Sequence, residues 1–295
     1  MSEAGEARRM VEPANSSERK TQEYRVSELW RYPVKSMGGE SIDVADVGID
    51  GIAGDRRWAV RDLETGKVAS AKKTRPFGAL LHWAASTTDD GTVLVESPDD
   101  DAWIAGDPAL DRALSAAFDR PVAMVAAEDD RQESYDAEWE LIPGALSSVS
   151  AEVPMVVASP SMAFVDASAL HLVTEGAMDH LADLVGASVA VERFRPTALL
   201  GLVNGEGPGG FVDLDWGEGE ATLGGASLRM SGPTPRCVMT TLSQRGLEPL
   251  RAGLQALAAN ARRDTLIGNL PCFGTAAEVT GPGTVRLGDR FAFTG

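Results

Sequence analysis

The sequence predicts a mainly β, α+β fold with a few helices and a barrel or sandwich architecture. Three observations carry that expectation. Short apolar–polar alternations lie between glycine and proline turns, as in "SIDVADVGIDGIAGDRRWAVRD". Few segments show the helical period. No internal repeat suggests a solenoid. At 295 residues the chain has enough length for one large domain or two ordinary ones.

Taken in order, "MSEAGEARRMVEPANSSERKTQE" is polar, lacks the apolar run of a signal peptide and reads as a disordered tail. From Tyr24 to about Trp83 the pattern is short strands and tight turns, with "YRVSELWRYPV" cut by Pro33 and a hairpin turn at Thr65-Gly66. "GTVLVES" reads as a strand. "GDPALDRALSAAFDRP" reads as a helix: Asp107 can cap it, Pro108 suits its first position, and Leu110, Leu114 and Phe118 share a face. Glu128 to about Ala151 reads as a polar loop. A second helix lies in "ALHLVTEGAMDHLADLVG", with Met178, Leu181, Leu184 and Val185 inward and Gly186 as its stop. "RFRPTALLGLV", "ATLGGASLRMSG" and "RCVMTTLS" read as strands, and "EPLRAGLQALAANARRD" as a third helix. "AAEVTGPGTVRLGDRFAFTG" reads as a closing hairpin.

The 44 acidic against 27 basic residues give a formal charge of −17, which opposes binding to nucleic acid or to an anionic membrane. No apolar run approaches the ~20 residues a membrane-spanning helix needs. Two cysteines without an export signal suggest no disulfide framework and a cytoplasmic setting.

Several motifs fail on inspection. Gly205, Gly207 and Gly210 match a dinucleotide-binding spacing, but Pro208 interrupts it and the strand-like "FVDLDW" follows. Asp213 and Asp215 would then share one strand face. His82, His171 and His180 have no metal-ligand spacing, and Cys237 and Cys272 form no CxxC.

Four features remain. In "GPTPRCVMTT", Cys237 follows Arg236, whose charge favours the thiolate, the form that is both nucleophile and soft-metal ligand. By itself, beside Val238 and Met239, Cys237 reads first as a small apolar filler of the core. In "YPVKSMGGE", Lys35 and Ser36 stand between a proline and two glycines and suit an anion. Arg56 leaves a turn in "GDRRW", and Arg193 and Arg195 open an apolar run in "RFRPT". Basic residues at strand and turn positions of an acidic chain fit a buried polyanionic cofactor with a soft atom held by cysteine.

The stretches "LWRYPVKS", "GDRRWAVRD", "RFRPT", "PRCVMTT" and "GPGTVRLGDRF", in that order, resemble the MOSC family and its two-part, amidoxime-reducing members. The resemblance runs from about Tyr24 to Gly295. Beyond the polar tail of 1–22, it implies an N-terminal β-barrel domain over 23–150 and a MOSC domain over 151–295. It also implies a molybdenum cofactor: a pyranopterin dithiolene (molybdopterin) with a terminal phosphate. Cys237 matches the metal ligand. Lys35, Ser36, Arg56 and Arg195 match cofactor contacts, Asp166 and Ser168 match a D-x-S segment near the metal, and Thr197 and Arg236 join the cofactor-binding set. Thr197 stands where the amidoxime reducers carry Asn, and Ala276 where they carry Tyr, which bears on the substrate mouth.

The implied activity is a molybdenum oxidoreductase that reduces N-hydroxylated small molecules. With no cysteines for an iron–sulfur cluster, its electrons would come from a separate donor: ferredoxin, flavodoxin, a cytochrome b5-like protein or a flavin reductase. The alternatives are a cofactor carrier or sulfur-transfer module, for which the chain has no room for a pyridoxal-phosphate domain, and a cofactor-free scaffold.

Overall fold

The computed structural model describes residues 23–127, 134–140, 148–154, 163–166, 168–203 and 209–294. The N-terminal tail and the glycine loop at 204–208 lie outside them. At its centre is a closed barrel of seven strands: β1 (Tyr24–Arg31), β2 (Leu170–Thr174), β3 (Ala198–Leu202), β4 (Glu218–Leu223), β5 (Ala226–Pro235), β6 (Gly268–Gly281) and β7 (Arg290–Thr294). Hydrogen bonding runs β2-β3-β1-β7-β4-β5-β6 and returns from β6 to β2, so no barrel strand is left with an open edge. Only β2 and β3 pair in parallel. Alternation supplies the core, with Val26, Leu29, Leu172, Leu200, Leu228, Met230 and Phe291 facing inward.

The first strand belongs to this barrel, Glu40–Ile42 pairs with its end, and Ala45, Val47 and Ile52 join the barrel core. Leu29 pairs with Ala198 of β3, and Tyr24 with Phe291 of β7. Beyond Ile52 the chain builds a second body with its own core. There strand Trp58–Asp62 pairs with Val122–Ala126, and Ala84–Thr87, Val93–Glu96 and Ala102–Ile104 form a meander. Helix α1 (Pro108–Phe118) seals it, with Asp107 as N-cap and Leu110, Leu114 and Phe118 buried, as the sequence predicts. Helix α2 (Glu175–Val185) ends at Gly186 in the left-handed conformation, as expected, but Leu184 is 40% exposed and Ala177 takes a core place instead. Helix α3 (Arg251–Asn260) buries Leu254 and Leu257, the latter in one core cluster with Cys272 and Phe273. The expectation of a strand-dominated fold with a barrel holds.

Four local expectations are corrected. Residues 134–140 and 148–154 form an antiparallel hairpin instead of a loop; 128–133 and 141–147 lie outside the described residues. "RCVMTTLS" is no strand: Val238–Thr241 is a 3₁₀ turn. Its threonine hydroxyls donate to Cys237 O and Val238 O at 3.1 and 2.8 Å, the local bonding that competes with a ladder. Val212–Asp215 is likewise a 3₁₀ turn. Asp213 turns inward to accept from Thr174 N (3.0 Å), while Asp215 accepts from Arg263 outside (2.8 Å). The closing hairpin is absent: Gly283–Arg286 leaves β6 at Pro282 and pairs with Val44–Gly48. That crossing needs glycine, because a Cβ on Gly283 would lie under 3.0 Å from the backbone of Gly225.

Two buried groups give the stability profile opposing slopes. Burial, then the nearby Arg236, holds His171 down to about 3 from 6.5. The unfolded chain therefore takes up a proton that the fold refuses, and this residue costs stability as pH falls below about 6.5. Burial pushes Asp213 up to about 6 from 3.8, so the fold binds a proton first and this residue adds stability as pH falls through about 6. In urea titrations between pH 8 and pH 5, Asp213→Asn is expected to lose that gain and steepen the acid decline. An unchanged slope would refute the assignment.

Candidate functional site

The sequence-selected residues meet at one rim of the barrel. Lys35 and Ser36 follow the exit of β1, Asp166 and Ser168 precede the entry to β2, Arg195 and Thr197 precede β3, and Arg236 and Cys237 follow β5. The antiparallel registers put those ends together. The end of β5 is irregular, with register shifts at Met230/Gly232 and Pro233/Pro235. Prolines give no ladder N–H there, and bulges of this kind re-aim a strand beside a site.

Backbone bonds knit the rim. Lys35 N donates to Trp58 O (2.9 Å), Arg56 N to Tyr32 O (2.8 Å), Phe164 N to Arg56 O (2.8 Å) and Gly38 N to Trp83 O (2.8 Å). Ser36 Oγ accepts from Ala71 N at 3.1 Å. Three of the five non-glycine residues with positive φ among the described residues are Ser36 (65°), Arg56 (50°) and Arg195 (52°). The other two are aspartates, which tolerate that region better. Sparsely populated backbone of this kind costs about 1–3 kcal/mol per residue and gathers at functional sites.

The charges converge as well. Lys35, almost wholly buried, ion-pairs with Asp166 and donates to Phe164 O at 3.2 Å. Lys72 takes the other Asp166 oxygen at 2.8 Å. Burial pulls Lys35 down to about 8, with Asp166 opposing the fall. Burial also pushes Asp166 up, yet its two lysines outweigh that and hold the carboxyl well below its usual range. Arg195 lies over the Tyr32 ring at 4.2 Å and Arg56 at 5.2 Å. Arg195 Nη1 donates to Met37 O, and Arg56 pairs with Asp55. Burial, then Arg56, lowers Arg195 to about 10, so it stays charged at neutral pH. Arg236 Nη2 donates to Phe194 O at 2.7 Å, and Arg236 is drawn electrostatically to Cys237.

Not every selected group is left free to meet a ligand. Thr197 is buried, and its hydroxyl accepts from His171 N at 3.0 Å. Ser168 Oγ donates to Leu170 O at 3.0 Å. Arg193 points away and donates to Leu242 O (3.0 Å) and Glu248 O, bracing the turn after Cys237. Cys237 is partly exposed, while Cys272 is fully buried beside Phe273, its thiol pushed up to about 11 by burial. Sequence reasoning missed Tyr32, the platform under two arginines, and Lys72. Tyr32 stands inside the quoted "YPVKS", where an aromatic beside a proline was the available signal; Lys72 gave none.

Among the described residues no helix is long and apolar enough to cross a membrane. The chain is 23% identical to mitochondrial amidoxime-reducing component 1 of Mus musculus, over 90% of this chain and 80% of that protein. It is also 23% identical to mitochondrial amidoxime reducing component 2 of Bos taurus, over 90% and 81%. The crystal structure of the YUAD protein from Bacillus subtilis superposes with a TM-score of 0.43 at 14% identity, covering 92% of this chain and 96% of that one. The family model "MOSC N-terminal beta barrel domain" matches residues 23–140 and "MOSC domain" matches 159–292. In that order the two domains make this chain a two-part member of the MOSC family.

Proposed function

We propose that the protein is a cytoplasmic molybdenum-cofactor oxidoreductase that reduces N-hydroxylated small molecules with electrons from a separate donor protein. One observation carries the reading. Arg195 Nη2, Arg236 Nε and the Tyr32 hydroxyl are buried polar atoms with no hydrogen-bond partner, gathered at the rim where Cys237 stands. Guanidinium nitrogens cannot accept, so this donor set fits an oxyanion, and the neighbouring thiol fits a soft metal. The donors and thiol thus fit a molybdenum pterin with a phosphate. Cys237 would be its protein ligand, and Arg195, Arg236, Arg56 and the Lys35–Ser36 turn would hold its anionic part. When bound, that group supplies two-electron redox chemistry. Overall, an N–O bond breaks, two electrons and two protons are consumed, and an N–H bond and water form.

The chain's own contribution is placement. Left-handed turns fix Ser36, Arg56 and Arg195 before any ligand arrives, so little ordering remains to be done on binding. His171, neutral at working pH, keeps its ring nitrogen on Phe273 O at 2.9 Å and holds β6 against β2.

The test is metal analysis of the chain from a cofactor-competent host, with conversion of an aryl amidoxime to its amidine. One molybdenum per chain with turnover supports the reading. Molybdenum without turnover supports a carrier, and absence of molybdenum refutes both. Turnover should need an artificial reductant or an added donor protein, and turnover with NADH alone would contradict the proposed partner. Arg195→Ala is expected to lose most of its bound molybdenum, since a charge-assisted contact contributes roughly 1.5–3 kcal/mol. Full occupancy in that variant would remove Arg195 from the site.

A further inference from the structure

We infer that the Tyr32 hydroxyl is a hydrogen-bond donor to a phosphate-type oxyanion at the rim, acting with Arg195 Nη2 and Arg236 Nε. The inference deepens the function proposed above and rests on it only for the source of the oxyanion.

Tyr32 is 2% exposed, and its hydroxyl has no partner. A buried phenol normally finds one, and leaving it unpaired costs stability. The side chain has no freedom to search elsewhere. Its ring stacks on Trp30 at 6.3 Å and 16°, and carries Arg195 at 4.2 Å on a face. A Cβ on Gly39 would fall under 3.0 Å from the ring, so only glycine leaves the space that the ring occupies. The backbone is held too: Tyr32 N donates to Asp55 Oδ1 at 2.7 Å, and Tyr32 O accepts from Arg56 N at 2.8 Å.

Two buried or half-buried carboxylates at the rim are already engaged. Asp55 Oδ1 takes Tyr32 N and its Oδ2 takes Arg56; the two Asp166 oxygens take Lys35 and Lys72. Burial raises the phenol well above its usual pKa despite the two arginines, so it keeps its proton. Glu192 also acts on the phenol electrostatically, but it is exposed and takes no hydrogen bond from it; the buried orphan groups beside the ring are donors. An acceptor that can satisfy the phenol together with two guanidinium N–H groups has several oxygens and negative charge, which is the chemistry of a phosphate.

The inference predicts opposite effects of one substitution on stability and on binding. The full chain is made without cofactor in a host unable to synthesise the pterin, and unfolded thermally with and without inorganic phosphate. In parallel, molybdenum per chain is measured after expression in a competent host. Tyr32→Phe keeps the ring and removes the orphaned hydroxyl. Its cofactor-free Tm should equal or exceed that of the wild type, while phosphate affinity or molybdenum retention falls about tenfold, as for a charge-assisted bond. Tyr32→Leu also removes the platform and should lower the cofactor-free Tm. A lower cofactor-free Tm in Tyr32→Phe would mean that the hydroxyl serves the protein itself, and overturns the inference. Wild-type phosphate affinity and molybdenum content in Tyr32→Phe would overturn it as well. A wild-type response to phosphate without molybdenum uptake refutes the molybdenum reading and leaves the hydroxyl tested by phosphate alone. Uptake of molybdenum without a phosphate response assigns the oxyanion to the cofactor. A wild-type chain that takes up neither removes both.

Discussion

Cys237→Ser is expected to abolish molybdenum retention and redox turnover while leaving the fold intact. Serine replaces a soft thiolate with a hard hydroxyl that stays protonated. Cys237 is partly exposed and opens a 3₁₀ turn through its carbonyl, not its side chain, so the substitution disturbs little packing. Cys272→Ser should do the reverse. Its sulfur is fully buried among Phe273, Leu257 and Phe194, and its thiol donates to Leu270 O at 3.4 Å. A hydroxyl there keeps one bond but enters an apolar site at a cost of about 1–3 kcal/mol. Metal analysis, turnover and urea unfolding on both variants decide the matter. If Cys237→Ser keeps full molybdenum and activity, or folded Cys272→Ser alone loses them, the assignment fails.

The second large effect belongs to the ion cluster at Asp166. Asp166→Asn leaves the buried Lys35 and the half-buried Lys72 facing each other without their shared carboxylate. Breaking a buried pair from one side costs about 3–5 kcal/mol; Asp166 is 32% exposed, so the lower end is expected. The profile has a defined sign. Lys35 titrates near 8 in the fold against 10.5 in an unconstrained chain. The unfolded chain therefore holds the extra proton between those values, and stability from this residue rises with pH through that window. In Asp166→Asn the window should widen downward, because the group that supported the charge is gone. Urea unfolding from pH 7 to 10 measures both effects. A double variant, Lys35→Met with Asp166→Leu, should recover much of the fold without recovering cofactor binding. Recovery of both would reduce the cluster to a structural device.

The sequence was legible where local chemistry decides conformation. Asp107 and Pro108 start α1 and Gly186 ends α2 because caps act within one turn. Lys35, Ser36, Arg56, Arg195 and Cys237 were visible for a related reason: each stands beside a proline, a glycine or an arginine that sets its backbone or charge. Barrel closure was not legible, because β1 pairs with segments far along the chain and nothing in "YRVSELWR" names its partners. "RCVMTT" looked like a strand because β-branched residues favour both strands and threonine-bonded turns. The hairpin at 134–140 was overlooked although Tyr135, Ala137 and Trp139 alternate in sequence, because the acidic residues between them suggested a loop. The carboxylate partners of the site basics were the least visible, since an ion pair joins residues such as Lys35 and Asp166 that no local pattern connects.

The place of β1 between β3 and β7 has a consequence for the order of events in the cell. Tyr24 leaves the ribosome about 270 positions before its partner Phe291. At about 5–20 residues per second, that interval is roughly 13–50 s. Throughout it the opening strand has no finished sheet to join, and "YPVKS", tied directly behind it, has no fixed rim to stand on. A ligand captured at this rim before β7 is made would sit in a half-built socket. The topology leaves the rim incomplete until β7 is in place, so that strand acts as the completion check on the socket.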